Sequence, residues 1–283
     1  MLVMGVVNVT PDSFSDGGRY ADTASAVEHG GRLLADGADI LDIGGESTRP
    51  GATRPLIGEE IDRVVPVIAA LAEQGATVSV DTMRSEVARA AIRAGARMVN
   101  DVSGGLADPA ILDVVADSET TYVAMHWRGH SDRMADLATY DGPGGVVAAV
   151  RTELADRVAA IRAAGIPDER IVLDPGLGFA KRGEHNWELL RGLDAIGDLG
   201  FPLLVGASRK SFLGALLAGA DGTARPVDER EVAGHALTLL MAQRGVWGIR
   251  VHDVRGTRDV LRLLQTMTQT MTPTVEISRE DRS

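Results

Sequence analysis

The chain has 283 residues, of which 45% are hydrophobic and 24% charged, with a formal net charge of -11 and 33 glycines. This composition excludes wholesale disorder, a collagen-like repeat and a membrane bundle, and leaves enough apolar mass for a sizeable core. The acidic balance argues against a nucleic-acid partner, and the lack of any cysteine excludes disulfides, thiolate metal sites and cysteine nucleophiles.

No segment repeats, but a rhythm does. Short apolar runs occur at Leu2–Val7, Ile40–Ile43, Thr77–Val80, Met98–Val99, Thr121–Met125, Arg170–Leu173, Phe201–Val205 and Val246–Val251. Amphipathic stretches follow many of them: Thr23–Ala35, Glu59–Ala72, Ser85–Ala94, Val146–Ala164, Val232–Gln243 and Thr257–Met267. Apolar residues there recur at three- and four-residue steps, as in Ile61, Val64, Val65, Ile68 and Leu71. Alternating strands and helices predict parallel strands with crossover helices. About eight such units in a chain of this length predict an α/β fold consisting of a single (β/α)₈ TIM barrel over residues 1–268, with a frayed tail over 269–283. An open dinucleotide-binding sheet fits less well, because Gly176–Gly178 lacks a spaced third glycine and an acidic residue about 20 positions on in a strand. No run of 18 apolar residues occurs, so no membrane partner is expected. Met1-Leu2-Val3-Met4 has no cationic leader, which makes a cytoplasmic location the expectation.

Polar or ionisable residues stand where nearly every apolar run stops: Asn8, Gly44-Gly45-Glu46, Asp81, Asn100-Asp101, His126, Asp174, Ser208 with Lys210, and His252. Singly, each is ordinary turn chemistry. In a barrel they converge on one face, the face where barrel active sites lie. Asn8 offers a neutral oxygen to a hard cation such as Mg²⁺. The loop that follows it is long and carries acids, hydroxyls, Phe14 and a glycine pair, as a loop closing over a ligand would. Arg49 sits at the tip of a second glycine-rich loop, where it can clamp a phosphate or carboxylate.

Asp81, Asn100 and Asp174 together can read a heterocycle rich in N–H donors. Helix capping and carboxylate acid–base catalysis are further uses of such residues. Gly206-Ala207-Ser208-Arg209-Lys210-Ser211 opens a helix whose N–H groups can hold an anion. Lys210 there can donate to a ring atom or form a Schiff base. Arg250 and His252 alternate onto one face of the last strand beside a helix start, a phosphate-binding arrangement common after strands seven and eight of barrels.

These loops together resemble dihydropteroate synthases, the folate-pathway enzymes targeted by sulfonamides. The matching stretches are Asn8–Gly18, Gly44–Gly51, Ser79–Thr82, Asn100–Gly105, Asp174–Phe179, Gly206–Phe212 and Arg250–Val254, and they span nearly the whole chain in the family's order. The resemblance implies a homodimeric barrel and a transferase of tetrahydrofolate biosynthesis. Its reaction would condense (7,8-dihydropterin-6-yl)methyl diphosphate with 4-aminobenzoate. It implies that Asp81, Asn100, Asp174 and Lys210 hold the pterin and that Asn8 ligates Mg²⁺. Arg250, Val251 and His252 would bind the diphosphate, assisted by Arg49. Thr48, Pro50 and Ser208 would border the 4-aminobenzoate, with Phe14 closing over it. Lys210, Arg250 and His252 are the expected catalytic groups. A methyltransferase acting on a methylated folate would share the pterin contacts but has no use for the cationic cluster. A non-catalytic pterin-binding paralogue would carry the same ring contacts, and an aldolase would use Lys210 as a Schiff base.

Overall fold

In a computed structural model, residues 1–9, 18–46, 54–130, 133 and 136–268 are described, without the side chains of 18–22. Eight strands form one parallel sheet: β1 (Leu2–Asn8), β2 (Ile40–Gly44), β3 (Val78–Asp81), β4 (Met98–Asp101), β5 (Thr121–Met125), β6 (Ile171–Asp174), β7 (Leu204–Val205) and β8 (Gly248–Val251). Their order is β6-β5-β4-β3-β2-β1-β8-β7. A parallel bridge from Leu173 to Leu203, with Leu173 N–H donating to the Pro202 carbonyl at 2.9 Å, joins the two ends. The sheet is therefore a closed (β/α)₈ barrel. The short β7 is a departure from the expected Phe201–Val205 strand. Pro202 has no N–H to give to a ladder, so pairing begins only beyond it.

The surrounding helices are α1 (Gly18–Ala35), α2 (Ile57–Glu73), α3 (Ser85–Arg93), α4 (Ala110–Ala116), α5 (Gly145–Ala163), α6 (Gly183–Arg191), α7 (Leu193–Gly197), α8 (Ser211–Leu216), α9 (Glu231–Gln243) and α10 (Val254–Thr268). Their inward stripes follow the helical period. In α5, Val146, Val150, Leu154, Val158 and Ile161 are buried in one row. In α2 the row is Val64, Val67, Ile68 and Leu71. These rows and the outward strand residues form the main core between barrel and helices.

A second, smaller core fills the lower barrel: Met4, Ile40, Met98, Val123, Val172 and Leu204. Strand register explains this set. Met4 pairs with Ile40, Val123 with Val172, and both series fall on the inward parity of the pleat. One level higher on the same parity lie Asp42, Asn100, Asp174 and Arg250 rather than more aliphatic residues. The barrel thus has an apolar floor and a charged mouth. No helix among the described residues is long and apolar enough to cross a membrane. The tail expected over 269–283 lies outside the described residues.

Candidate active site

The register sets Asn8, Gly44, Asp81 and Asn100 side by side across β1 to β4 at the C-terminal ends of the strands. Asn8 is exposed there, whereas Asn100 is buried. From β8, Arg250 reaches across the mouth. Its Nε lies 2.6 Å from Asp42 Oδ2 and its guanidinium donates to Asp81 Oδ2 at 2.8 Å. Asn100 Nδ2 donates to the same Asp42 oxygen at 3.0 Å. Burial pulls the Arg250 pKa down, but the carboxylates of Asp42 and Asp81 raise it above its ordinary value, so its charge is fixed. Burial pushes the Asp81 carboxyl up to about 7, held back by Arg250 and raised further by Asp42.

On the opposite wall stand Asp174 and Lys210. Asp174 is raised by burial, which the Lys210 ammonium opposes. Lys210 is pulled down to about 8 by burial against the attraction of Asp174. Its Nζ donates to the Leu177 carbonyl and lies 4.7 Å from the centre of the Phe179 ring. The Asp174-Pro175-Gly176 turn aims this wall. Gly176 N–H donates to Asp174 Oδ1 at 2.7 Å. Gly176 has a φ of 69°, and a Cβ there would meet the His126 carbonyl oxygen at 2.4 Å, so only glycine fits. Beside this wall Met83, Val102 and Met125 pack with Trp127 and Phe179. The mouth therefore joins an apolar cluster to carboxylates, an amide and an ammonium, side chains of the kind a flat polar heterocycle needs.

Beside Arg250, Ser208 Oγ is 3.0 Å from His252 Nδ1 and accepts from the His252 N–H at 3.3 Å. Between Ser208 and Lys210, Arg209 adopts a φ of 62°. Arg230 and Glu231, at the head of α9, hold that strained turn: Arg230 donates to the Arg209 carbonyl at 2.8 Å, and Arg209 donates to Glu231 at 2.6 Å. Val251 sits in the core between barrel and helices. Its side chain therefore faces the surrounding helices rather than the mouth. Phe14, Thr48, Arg49 and Pro50 lie outside the described residues. The framework of the Arg49 loop is visible at its base, where Glu46 pairs with Arg54 at 2.7 Å and Arg84 pairs with buried Glu60 at 3.1 Å.

Three rim acids and bases are scaffolding. Asp101 accepts from Ser103 N–H, Gly105 N–H and Tyr122 Oη, which folds the loop after β4. His126 is held down to about 4 by burial and by Lys181. It is therefore neutral, accepts from Lys181 at Nδ1 (2.9 Å) and donates from Nε2 to Glu153 (2.9 Å). Lys181 also donates to the carbonyls of Gly176 (2.9 Å) and Phe179 (3.1 Å), tying down the loop that carries Phe179. Strand-end reasoning misses Asp42 and Lys181. A lone aspartate inside the apolar run Ile40-Leu41-Asp42-Ile43 is a signal for the first. The second has one too: Lys181 and Lys210 are the only lysines in the chain, and both are here.

The chain belongs to the pterin binding enzyme family, whose model matches residues 4–252. The "Dihydropteroate synthase" of Mycobacterium leprae is 53% identical over 264 residues, covering 93% of this chain and 92% of the relative. The Xanthomonas albilineans dihydropteroate synthase solved with 4-aminobenzoic acid superposes with a TM-score of 0.86 at 46% identity, covering 95% of this chain and 93% of that one. The same enzyme solved in complex with 7,8-dihydropteroate gives 0.83 at 43% identity, covering 95% and 94%. Within the family the chain groups with the dihydropteroate synthases and is a transferase.

Proposed function

We propose that this chain condenses (7,8-dihydropterin-6-yl)methyl diphosphate with 4-aminobenzoate to give 7,8-dihydropteroate and pyrophosphate. The observation that carries the reading is one barrel mouth that gathers Arg250, the Ser208–His252 pair, Asp174 and Lys210. Asp174 accepts two N–H bonds from the amino-pyrimidine edge, Asn100 and Asp81 take the remaining ring donors, and Lys210 donates to a ring acceptor. Arg250 and His252 bind the diphosphate with Arg49. Ser208, Thr48 and Pro50 border the 4-aminobenzoate, whose carboxylate meets the N–H groups that open α8, and Phe14 closes over it.

In the reaction the methylene C–O bond breaks and its electron pair leaves with pyrophosphate. The electron-rich pterin stabilises the methylene cation in an SN1-like path. The neutral arylamine nitrogen then bonds to that carbon and releases a proton. Arg250 and His252 stabilise the charge that grows on the leaving group, and loss of one such donor costs about 10²–10³ in rate. No protein nucleophile is required, so Lys210 serves as a donor.

The donor set fits a hard cation. Asn8 presents a neutral amide oxygen at the open end of β1, and Mg²⁺ is usually held by few protein oxygens plus substrate phosphates and water. Bound there, Mg²⁺ would supply charge neutralisation on the diphosphate. The chain also reads as a cytoplasmic homodimer. Exposed Val232 and Leu240, eight residues apart on α9, with exposed Leu216 on α8, support an apolar contact with a second copy.

The test is direct. Purified protein mixed with the pterin diphosphate, 4-aminobenzoate and Mg²⁺ forms dihydropteroate and pyrophosphate in equal amounts. EDTA stops turnover and added Mg²⁺ restores it. Absence of product overturns the activity, and turnover indifferent to EDTA removes the metal.

A further inference from the structure

A second group of ligand-type side chains lies behind the diphosphate side of the mouth. Glu231 and His235 stand four residues apart on α9, so both project from one face of that helix. Asp253 precedes α10 and lies opposite them. One ligand atom from each of the three falls within 4.8 Å of the other two. We propose that Glu231, His235 and Asp253 form a binding site for a divalent transition-metal cation of the zinc type, separate from the Mg²⁺ position at Asn8.

The geometry around His235 points to an ion more than to a simple ion pair. His235 Nε2 is 3.0 Å from Asp253 Oδ2. That nitrogen is buried yet makes no hydrogen bond, so the approach is off the hydrogen-bonding direction. With metal–ligand bonds of about 2.0–2.2 Å, neighbouring ligand atoms around zinc stand roughly 3 Å apart, as this pair does. Asp253 divides its two oxygens: Oδ1 accepts from Gly256 N–H at 3.0 Å, leaving Oδ2 for the site. Gly256 packs closely against the same two ligand atoms, so any side chain there would displace them. A Cβ on Gly256 would lie 2.5 Å from Asp253 Oδ2 and 2.6 Å from His235 Nε2. A small cavity opens beside these atoms, with Ser208, Glu231, His235 and Thr257 in its wall.

Charge agrees with this use. Glu231 and Asp253 bring two negative charges, and Arg209, 2.6 Å from Glu231 Oε1, offsets one of them. An imidazole nitrogen with two carboxylates suits zinc, cobalt or nickel better than a hard ion that prefers oxygen alone. The position gives the ion a structural consequence. Asp253 follows His252 in the chain, and Glu231 anchors the turn that carries Ser208 and Lys210. An ion here would staple α9 to α10 and stiffen both stretches that face the mouth.

The test uses the full chain stripped of metal, in buffer with excess Mg²⁺. Zn²⁺ affinity is measured by competition with a chromophoric chelator, and Co²⁺ binding by its visible absorption. The expected result is one ion per chain, an affinity at least tenfold weaker in both His235→Ala and Asp253→Asn, and a rise in Tm with Zn²⁺ that His235→Ala loses. Alanine is favourable in a helix and asparagine keeps the Oδ1 cap, so both variants should fold, and circular dichroism verifies this. Zn²⁺ affinity and stoichiometry equal to wild type in both variants, or no stoichiometric binding by wild type, overturns the proposal.

Discussion

Arg250 and Asp42 are 208 residues apart in the chain and 2.6 Å apart in the barrel. The contact ties β8 to β2 across the mouth and fixes a cation there, at the position proposed for the diphosphate. Asp42 is fully buried, and Asp81 is the second carboxylate on the same guanidinium. Breaking a buried pair by removing one partner costs about 3–5 kcal/mol, and the surviving Asp81 contact places Asp42→Asn at the low end of that range. Urea unfolding of the unliganded protein measures it. A change within about 0.5 kcal/mol would mean that Asp81 alone holds Arg250.

The proposed split between diphosphate and pterin contacts separates two variants. A charge-assisted contact is worth about 1.5–3 kcal/mol, so His252→Ala should weaken the pterin diphosphate by about 10–100-fold and leave the bare pterin nearly untouched. Arg250→Ala should weaken the diphosphate at least as much. It should also lower pterin affinity somewhat, because Arg250 is what holds Asp81 in place. Calorimetry with both ligands reads the difference. Equal losses for the two ligands in His252→Ala would place the diphosphate elsewhere.

Asp174→Asn isolates the carboxylate without disturbing the turn. The asparagine carbonyl can still accept from Gly176 N–H, now at 2.7 Å, so the backbone should keep its course. Its amide nitrogen, however, would face the N–H donors of the ligand. Loss of two charge-assisted bonds predicts at least about a 10²-fold loss of pterin affinity with little change in Tm. Retained tight binding would show that Asp174 does not read the pterin edge.

Much of this site is legible in the sequence because the barrel rule is positional. Residues at strand ends meet at one rim whatever their separation, so Asp81, Asn100, Asp174, Lys210 and His252 can be found by asking where apolar runs stop, and Arg250 by alternation from His252. That rule is blind to depth. Asp42 lies two residues below its strand end and acts through Arg250, so only its charge inside an apolar run betrays it. It is equally blind to what a rim residue faces. Asp101 and His126 satisfy the rule, yet one folds a loop and the other is a neutral link between Lys181 and Glu153. Lys181 acts from the middle of a loop, where no periodicity applies. Helices α4, α7 and α8 are short, with seven, five and six residues, too short for their apolar period to stand out.

Lys210 makes the last expectation one of pH. Burial holds its pKa at about 8, against an ordinary value near 10.4 in the unfolded chain. Between those values the unfolded chain carries a proton that the native site has lost, so stability rises with pH. Below pH 8 both states are protonated and the full cost of burying the ammonium is present. Above about pH 10.5 it is gone. Replacing Lys210 with methionine removes this dependence. The stability of wild type relative to Lys210→Met should therefore be lowest near pH 7 and climb by roughly 3 kcal/mol by pH 10.5, at 1.36 kcal/mol per pKa unit. Urea midpoints of the two unliganded proteins at pH 7, 8.5 and 10 give the comparison. A flat difference would mean that Lys210 titrates as in water, and its contact with the Leu177 carbonyl would then have to be solvated.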